Sequence, residues 1–215
     1  MRFLESAPRR YDFGVRLLSL GRLDGAYDHL VSHIAPGQQV LDVGCGTGAL
    51  TLRIARRGAR VKAIDSNAQM LEIATSRVRE AGLRDSVDIE EMGVAELDRE
   101  SADSYDAITA GLCFSELSED ELHYTLMQAK RILKPGGLLL VADEVRPLNP
   151  LKRCLYLLIR IPLVAFTYAL TQQTTHPLSG LVEHLEKTGL SLMSVHANAL
   201  ENFTEFVARK PGDPP

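Results

Sequence analysis

The run Val40-Leu41-Asp42-Val43-Gly44-Cys45-Gly46-Thr47-Gly48 constrains this chain more than any other segment. Its first four residues read as a short apolar strand, the next five carry three glycines, and residues 49–57 read as a helix with Leu50, Ile54 and Ala55 on its apolar side. Glycines directly after a strand permit a tight turn and let a ligand approach the backbone. The N-terminus of the following helix favours negative charge. A strand, a glycine loop and a helix in that order open an α/β sheet with a ligand site at its edge.

The alternation continues along the chain. Residues 60–64 read as a strand, 68–81 as a helix ending at Gly82, and 87–91 and 105–109 as two further strands. A helix over 119–133 stops at Lys134-Pro135-Gly136-Gly137, and 138–142 is strongly strand-like. Short connections between alternating strands and helices predict a mostly parallel sheet covered on both faces. Residues 190–197 and 203–208, joined around Leu200-Glu201-Asn202, read as a closing antiparallel hairpin. Ahead of the glycine loop, Leu18, Leu23, Tyr27, Leu30, Val31 and Ile34 recur at helical spacing, with a break near Gly21. The expected fold is α/β: a doubly wound, Rossmann-like sheet of seven strands in a single domain. Residues 1–36 form an N-terminal helical cap, 37–210 the core, about 147–178 an apolar helical insertion within it, and 211–215 a tail.

Composition narrows the function. With 215 residues and 45% hydrophobic side chains the chain supports one core and leaves no room for a separate substrate domain. Lys and Arg number 24 against 28 Asp and Glu, a net charge of −4, which argues against a nucleic-acid binder. Three cysteines, Cys45, Cys113 and Cys154, are too few and too scattered for a disulfide framework or structural zinc. The N-terminal residues are charged where a secretion signal needs an apolar stretch, so a cytoplasmic location is expected. No metal is expected either. His29 and His33 stand four apart, but Asp28 is the only acid near them in sequence, and His123, His184 and His196 are scattered.

Two nucleotide readings compete for the loop. A dinucleotide fingerprint can be drawn through Gly44, Gly46 and Ala49, with Asp65 as the acid about twenty residues on. Asp42 weighs against it. A pyrophosphate gains nothing from a carboxylate two residues before the first glycine, whereas a ligand carrying an ammonium group gains from a nearby anion. A Walker loop is excluded, because no Gly-Lys-Ser/Thr follows.

Residues 40–48 resemble the first motif of the class I S-adenosylmethionine-dependent methyltransferases. Val61-Lys62-Ala63-Ile64-Asp65-Ser66-Asn67 resembles their second motif, and Arg131-Ile132-Leu133-Lys134-Pro135-Gly136-Gly137 their lead into the fifth strand. The opening Tyr11-Asp12 and Leu17-Leu18-Ser19-Leu20-Gly21 is similar to the ubiquinone/menaquinone biosynthesis branch. The whole chain resembles a small group of corrinoid protein-associated methyltransferases.

The resemblance implies S-adenosyl-L-methionine as cofactor and S-adenosyl-L-homocysteine as product. It implies cofactor contacts from Gly44, Cys45, Gly46, Thr47 and Gly48, with Asp42 holding the amino-acid end through water or the loop. Asp65 would take the ribose hydroxyls, and Ser66 and Met70 would flank the adenine. Gly93, Val94 and Ala95 would close over it. Many relatives have Asp where Val94 stands, so backbone or Glu96 would replace that contact. Ala110 and Gly111 would lie beside the methionine part, and Tyr11 is an expected lid residue.

In-line methyl transfer starts from an activated carbon, so positioning and desolvation supply much of the rate and no conspicuous base is required. Ser115 and Glu116, after the fourth strand, are the catalytic candidates. Glu116 reads as a base or substrate orienter, or else as a solvated acid, and Cys113 as a buried hydrophobe or a methyl-facing thiol. Asp143 and Glu144, at the end of the fifth strand, sit where ligands bind in such sheets. The apolar residues between Leu151 and Leu170 read as ordinary core or a homodimer surface, as a wall for a lipophilic acceptor, or as a weak membrane-surface contact beside Arg153 and Arg160. The expected function is methyl transfer to a small, lipid-like acceptor. The alternative is a non-catalytic S-adenosylmethionine binder associated with a corrinoid protein, and a dehydrogenase comes third.

Overall fold

The computed structural model describes residues 23–147, 149–153, 156, 158 and 177–212. Tyr11, most of the 151–170 apolar stretch, and the segment from Gln172 to His176 lie outside them.

Among the described residues the first element is α1 (Leu23–Ser32), whose Leu23, Ala26, Tyr27, Leu30 and Val31 are buried. Alternation follows: β1 (Gln39–Val43), α2 (Ala49–Arg56), β2 (Arg60–Asp65), α3 (Ala68–Glu80), β3 (Val87–Glu91), a 3-10 turn (Val94–Arg99) and β4 (Tyr105–Gly111). A second 3-10 turn (Phe114–Glu116) leads to α4 (Glu119–Ile132) and β5 (Leu133–Glu144). The chain closes with α5 (Leu181–Thr188), β6 (Ser191–Ala197) and β7 (Phe203–Arg209).

All seven strands form one sheet in the order β3-β2-β1-β4-β5-β7-β6. The first five pair in parallel, while β7 lies antiparallel to both β5 and β6. The expected seven-stranded sheet with a terminal antiparallel hairpin is therefore present. Strand order reverses between β1 and β4, and the crevice at their carboxyl ends is where open α/β sheets bind ligands.

Two apolar layers sandwich the sheet. Leu41, Val43, Ile64, Ile108 and Val141 face α4 and α5 on one side. Val40, Val61, Ala63, Ala107 and Leu140 face α1 and α2 on the other. Alternate residues of each strand thus serve opposite layers, which is why these strands read as continuous apolar runs.

Local chemistry explains the helix ends. Asn67 caps α3 by accepting from Gln69 N and Met70 N, and Ser118 caps α4 in a capping box with Glu121. The entry to α2 has no side-chain cap and turns on Gly48 in the left-handed region. One boundary differs from expectation. The ladder of β5 starts at Leu133, paired with Tyr105, and shifts register before Leu138 pairs with Ala107. The Lys134–Gly137 stretch is absorbed into the strand as a bulge, held by Lys134 Nζ on Asp106 (2.7 Å) and Gly136 N on Lys210 O (3.0 Å).

Candidate functional site

The glycine loop leaves β1 and crosses to α2 with Gly44, Gly46 and Gly48 all at positive φ (66°, 52° and 80°). Their surroundings differ. A methyl group at Gly44 would overlap Cys113 Sγ, with Cys113 Cβ 2.7 Å away, so Gly44 lets β4's exit pack against the loop. A methyl at Gly48 would lie 3.2 Å from Ala74 Cβ, so this glycine lets α3 approach. A methyl at Gly46 would meet nothing within 4 Å. The first and third glycines serve packing; the second leaves an open approach to the backbone.

Asp65, at the end of β2, borders that approach. Its Oδ2 accepts from Gly46 N and its Oδ1 from Asn67 N, both at 2.8 Å, so it anchors the loop and keeps acceptor capacity on each oxygen. Cys45 N donates to Ile64 O (3.0 Å) and Arg77 to Thr47 O (3.2 Å), pinning the loop from β2 and α3. The Cys45 thiol is buried and its pKa is raised by burial and by Asp42 and Asp65, so it stays protonated.

Asp42 lies beneath the loop, 1% exposed, with Oδ2 accepting from Thr51 Oγ1 (2.5 Å) and Oδ1 from Thr109 Oγ1 (2.7 Å). Burial pushes its pKa up to about 6 against the pull of the two hydroxyls. It ties β1 to α2 and β4, so its influence on a ligand passes through the loop.

Beyond β2, Ser66 and Gly93 are neighbours: a methyl group on Gly93 would lie 3.9 Å from Ser66 Cβ, and Met70 stands in the first turn of α3. Val94 and Ala95 begin the 3-10 turn that follows. Glu96 closes the start of that turn. Its Oε2 accepts from Gly93 N (3.1 Å) and its Oε1 from Arg99 (3.0 Å).

On the other side, Ala110 and Gly111 end β4. A methyl on Gly111 would overlap the Tyr27 hydroxyl, with two ring carbons 2.8 Å away, so the α1 tyrosine closes on this glycine. Sequence reading placed Tyr27 only among apolar helix positions; its place over the fourth strand depends on how α1 folds back. Leu112 follows at φ 55°, a conformation costing an L-residue about 1–2 kcal/mol, and its amide is held by Ala142 O at 2.8 Å.

The turn after β4 carries the remaining candidates. Ser115 N donates to Asp143 Oδ2 (3.0 Å), and Glu144 N donates to Asp143 Oδ1 (2.8 Å). Asp143 is 0% exposed, and burial pushes its pKa up to about 6. Ser115 is buried against it, whereas Glu116 keeps contact with solvent at the mouth. Protein mass around Glu116 and the carboxylates of Asp143 and Asp65 raise its pKa. Cys113 is packed on Gly44, and burial together with the charges of Asp143, Glu116, Asp65 and Asp42 raises its thiol pKa strongly. It is a packing residue, not a nucleophile. Glu144 accepts from Tyr156 Oη at 2.6 Å.

Four carboxylates therefore gather at the carboxyl ends of the central strands, Asp42 and Asp143 buried beneath the surface and Asp65 and Glu116 reaching it. Their summed negative charge suits a cationic ligand, and the open Gly46 backbone next to Asp65 suits a ribose-bearing one. The residues fit S-adenosylmethionine, which carries a sulfonium, an ammonium and a ribose. Among the described residues, no group of three His, Cys, Asp or Glu is arranged to hold a metal.

Comparison with known proteins agrees. Residues 40–137 match the family described as "Methyltransferase domain". The chain is 32% identical over 154 residues to a ubiquinone/menaquinone biosynthesis C-methyltransferase of Vibrio vulnificus (strain YJ016), covering 69% of this chain and 58% of the relative. The chain thus spans just over half the length of the curated relatives it matches. Among solved structures, the [4+2]-cyclase SpnF aligns with TM-score 0.70 at 21% identity, covering 88% of this chain and 82% of that one. A geranyl diphosphate C-methyltransferase from Streptomyces coelicolor A3(2) aligns with TM-score 0.67 at 15% identity, covering 87% and 78%.

Residues 40–137 are thus similar to a methyltransferase domain. Over 154 residues the chain is similar to the ubiquinone/menaquinone biosynthesis branch of the S-adenosylmethionine-dependent methyltransferases.

Proposed function

We propose that this chain transfers the methyl group of S-adenosyl-L-methionine to a small lipophilic acceptor. The observation that carries this reading is the open approach to Gly46 beside the Asp65 carboxylate, at the point where strand order reverses. The bound cofactor supplies an activated methyl carbon on a sulfonium.

The chain's own residues bind and orient. In this reading the backbone at Gly44–Gly48 passes beneath the cofactor, Asp65 accepts from the ribose hydroxyls, and Ser66, Met70, Gly93, Val94 and Ala95 enclose the adenine. Ala110 and Gly111, backed by Tyr27, border the methionine part, and Tyr11 is the proposed lid. Glu116 orients the acceptor and takes a proton at its carboxylate, a task suited to a carboxylate whose pKa is raised by burial and by Asp143 and Asp65. Asp143 holds the turn bearing Ser115 and Glu116 in place.

A lipophilic acceptor is supported by the names of two similar proteins, one of ubiquinone/menaquinone biosynthesis and one of geranyl diphosphate C-methylation. The apolar composition of residues 151–170 supports it too. No helix among the described residues is long and apolar enough to cross a membrane. Action in the cytoplasm is part of the same proposal.

A second reading has one observation in its favour: a similar solved structure is named a cyclase. In that reading the chain binds S-adenosylmethionine without transferring its methyl; a corrinoid protein partner was expected from sequence resemblance alone.

The test pairs calorimetry with a transfer assay. S-adenosylhomocysteine should bind and NAD should not, and label from methyl-labelled S-adenosylmethionine should pass to a member of a panel of quinols and prenyl diphosphates. Binding of NAD in preference to S-adenosylhomocysteine overturns the cofactor assignment; binding without transfer across the panel favours the second reading.

A further inference from the structure

Three histidines that are separated in the sequence come together in the fold. His29 of α1 pairs through Nδ1 with Glu205 Oε2 of β7. His33, in the turn that ends α1, stands edge-on to His29 with ring centroids 5.4 Å apart. His196 of β6, opposite Glu205 in the ladder, lies 5.6 Å from His29 on its other side. Three imidazoles from two distant parts of the chain thus surround one carboxylate, and Glu205 is only 8% exposed. Asp28, taken from sequence as the acid nearest these histidines, turns instead to Arg53 of α2 (3.1 Å).

We propose that His29, His33, His196 and Glu205 form a proton-operated latch that holds α1, and with it Tyr27, against the cofactor end of the sheet. The mechanical link is short. Tyr27 and His29 are two residues apart on one helix; Tyr27 closes on Gly111 at the end of β4, while His29 grips β7. Helix α1 packs on β5 and β7, so the latch is its polar attachment to the hairpin beside its apolar one. The inference rests on the cofactor reading given above.

Charge decides the sign. The ionisable groups facing the latch are His29 and His33 from α1 and its closing turn, His196 from β6 and Glu205 from β7. Glu144 of β5, on the same sheet face, is engaged by Tyr156. Partial burial and the neighbouring His29 hold His33 below the usual imidazole range, against the opposite pull of Glu205. A base with a lowered folded pKa contributes stability above its unfolded pKa, and that contribution is lost as pH falls through the folded value. Near neutral pH the one carboxylate meets His29 beside a neutral His33. In acid His33 gains a charge beside His29, and that like-charge contact opposes the pairing on Glu205. The latch therefore weakens as pH falls through the acid range in which His33 takes up its proton.

The experiment measures S-adenosylhomocysteine affinity of the full chain by calorimetry from pH 7.5 to 5.5, alongside hydrogen-exchange protection of the α1 amides in the free protein. Native protein should lose about fivefold in affinity over this range, with a parallel loss of α1 protection. Glu205→Gln should lower α1 protection at pH 7.5 and flatten its pH dependence. His33→Gln, a change outside the crevice, should retain both affinity and protection further into acid. Identical pH profiles for native and Glu205→Gln protein, or α1 protection independent of pH, overturn the latch. Absence of binding at every pH defeats the cofactor reading instead, and the exchange data then decide the latch alone.

Discussion

Thr109 of β4 donates its hydroxyl hydrogen to Asp42 of β1 at 2.7 Å, while Thr51 of α2 binds the other oxygen of the same carboxylate. This buried three-way tie joins the two strands between which the sheet order reverses. It also supports the floor on which the glycine loop rests.

Replacement of Asp42 tests the cost of that tie. Its pKa of about 6 lies above the ordinary carboxylate value of 3.8, so the folded state takes up the proton more readily than the unfolded state. The associated stability is fully present below pH 4 and is lost as pH rises through about 6. Ionising the buried group at neutral pH costs roughly 3 kcal/mol. Asp42→Asn should therefore flatten the Asp42 contribution to urea stability between pH 4 and 6. A native-like pH slope in the variant would contradict the assignment.

Gly46 separates ligand space from packing space. Gly46→Ala places a methyl group in the open approach with no atom within 4 Å of it, although the left-handed backbone adds about 1–2 kcal/mol of strain. The variant should fold, with a modestly lower melting temperature, and lose S-adenosylhomocysteine binding by at least about a hundredfold, equivalent to about 2.7 kcal/mol. Calorimetry and circular dichroism on the same sample separate the two effects.

Gly111→Ala drives a methyl group into the Tyr27 ring. Overpacking of this kind costs about 1–3 kcal/mol, and Tyr27 must shift. Gly111→Ala/Tyr27→Ala should recover part of the loss in thermal stability, because the colliding ring is gone; a double variant no better than the sum of the single changes would show that the contact carries no strain.

Asp65 and Glu116 should separate binding from chemistry. Asp65→Ala removes the acceptor assigned to the ribose and the anchor of Gly46 N, so cofactor affinity should fall at least about tenfold. Glu116→Gln should bind S-adenosylhomocysteine within about twofold of native, since its proposed role concerns the acceptor. With an acceptor in hand, its turnover should fall by about a hundredfold or more. Native turnover in Glu116→Gln would remove this residue from the mechanism.

The sheet, the glycine loop and Asp65 were legible in the sequence because each depends on local spacing. Apolar runs of four to six residues between glycines specify strands, and three glycines in five residues specify the turn. The β5 boundary was read late because Pro135-Gly136-Gly137 has the composition of a turn, yet pairing with β4 on one side and Lys210 on the other draws those residues into a bulged ladder. Glu96 accepts from Gly93 N and Arg99, a local closure that its spacing alone does not reveal.

By itself the sequence determined the class of fold and the position of the glycine loop between β1 and α2, because these follow from residue type and short-range order. Tertiary structure alone decided that Gly46 is the open glycine while Gly44 and Gly48 serve packing. It alone brought Tyr27 onto Gly111, and His29 and His33 to His196 and Glu205. Those relationships join residues up to 176 positions apart. Only the return of α1 across the sheet and the insertion of β7 beside β5 bring them within contact range.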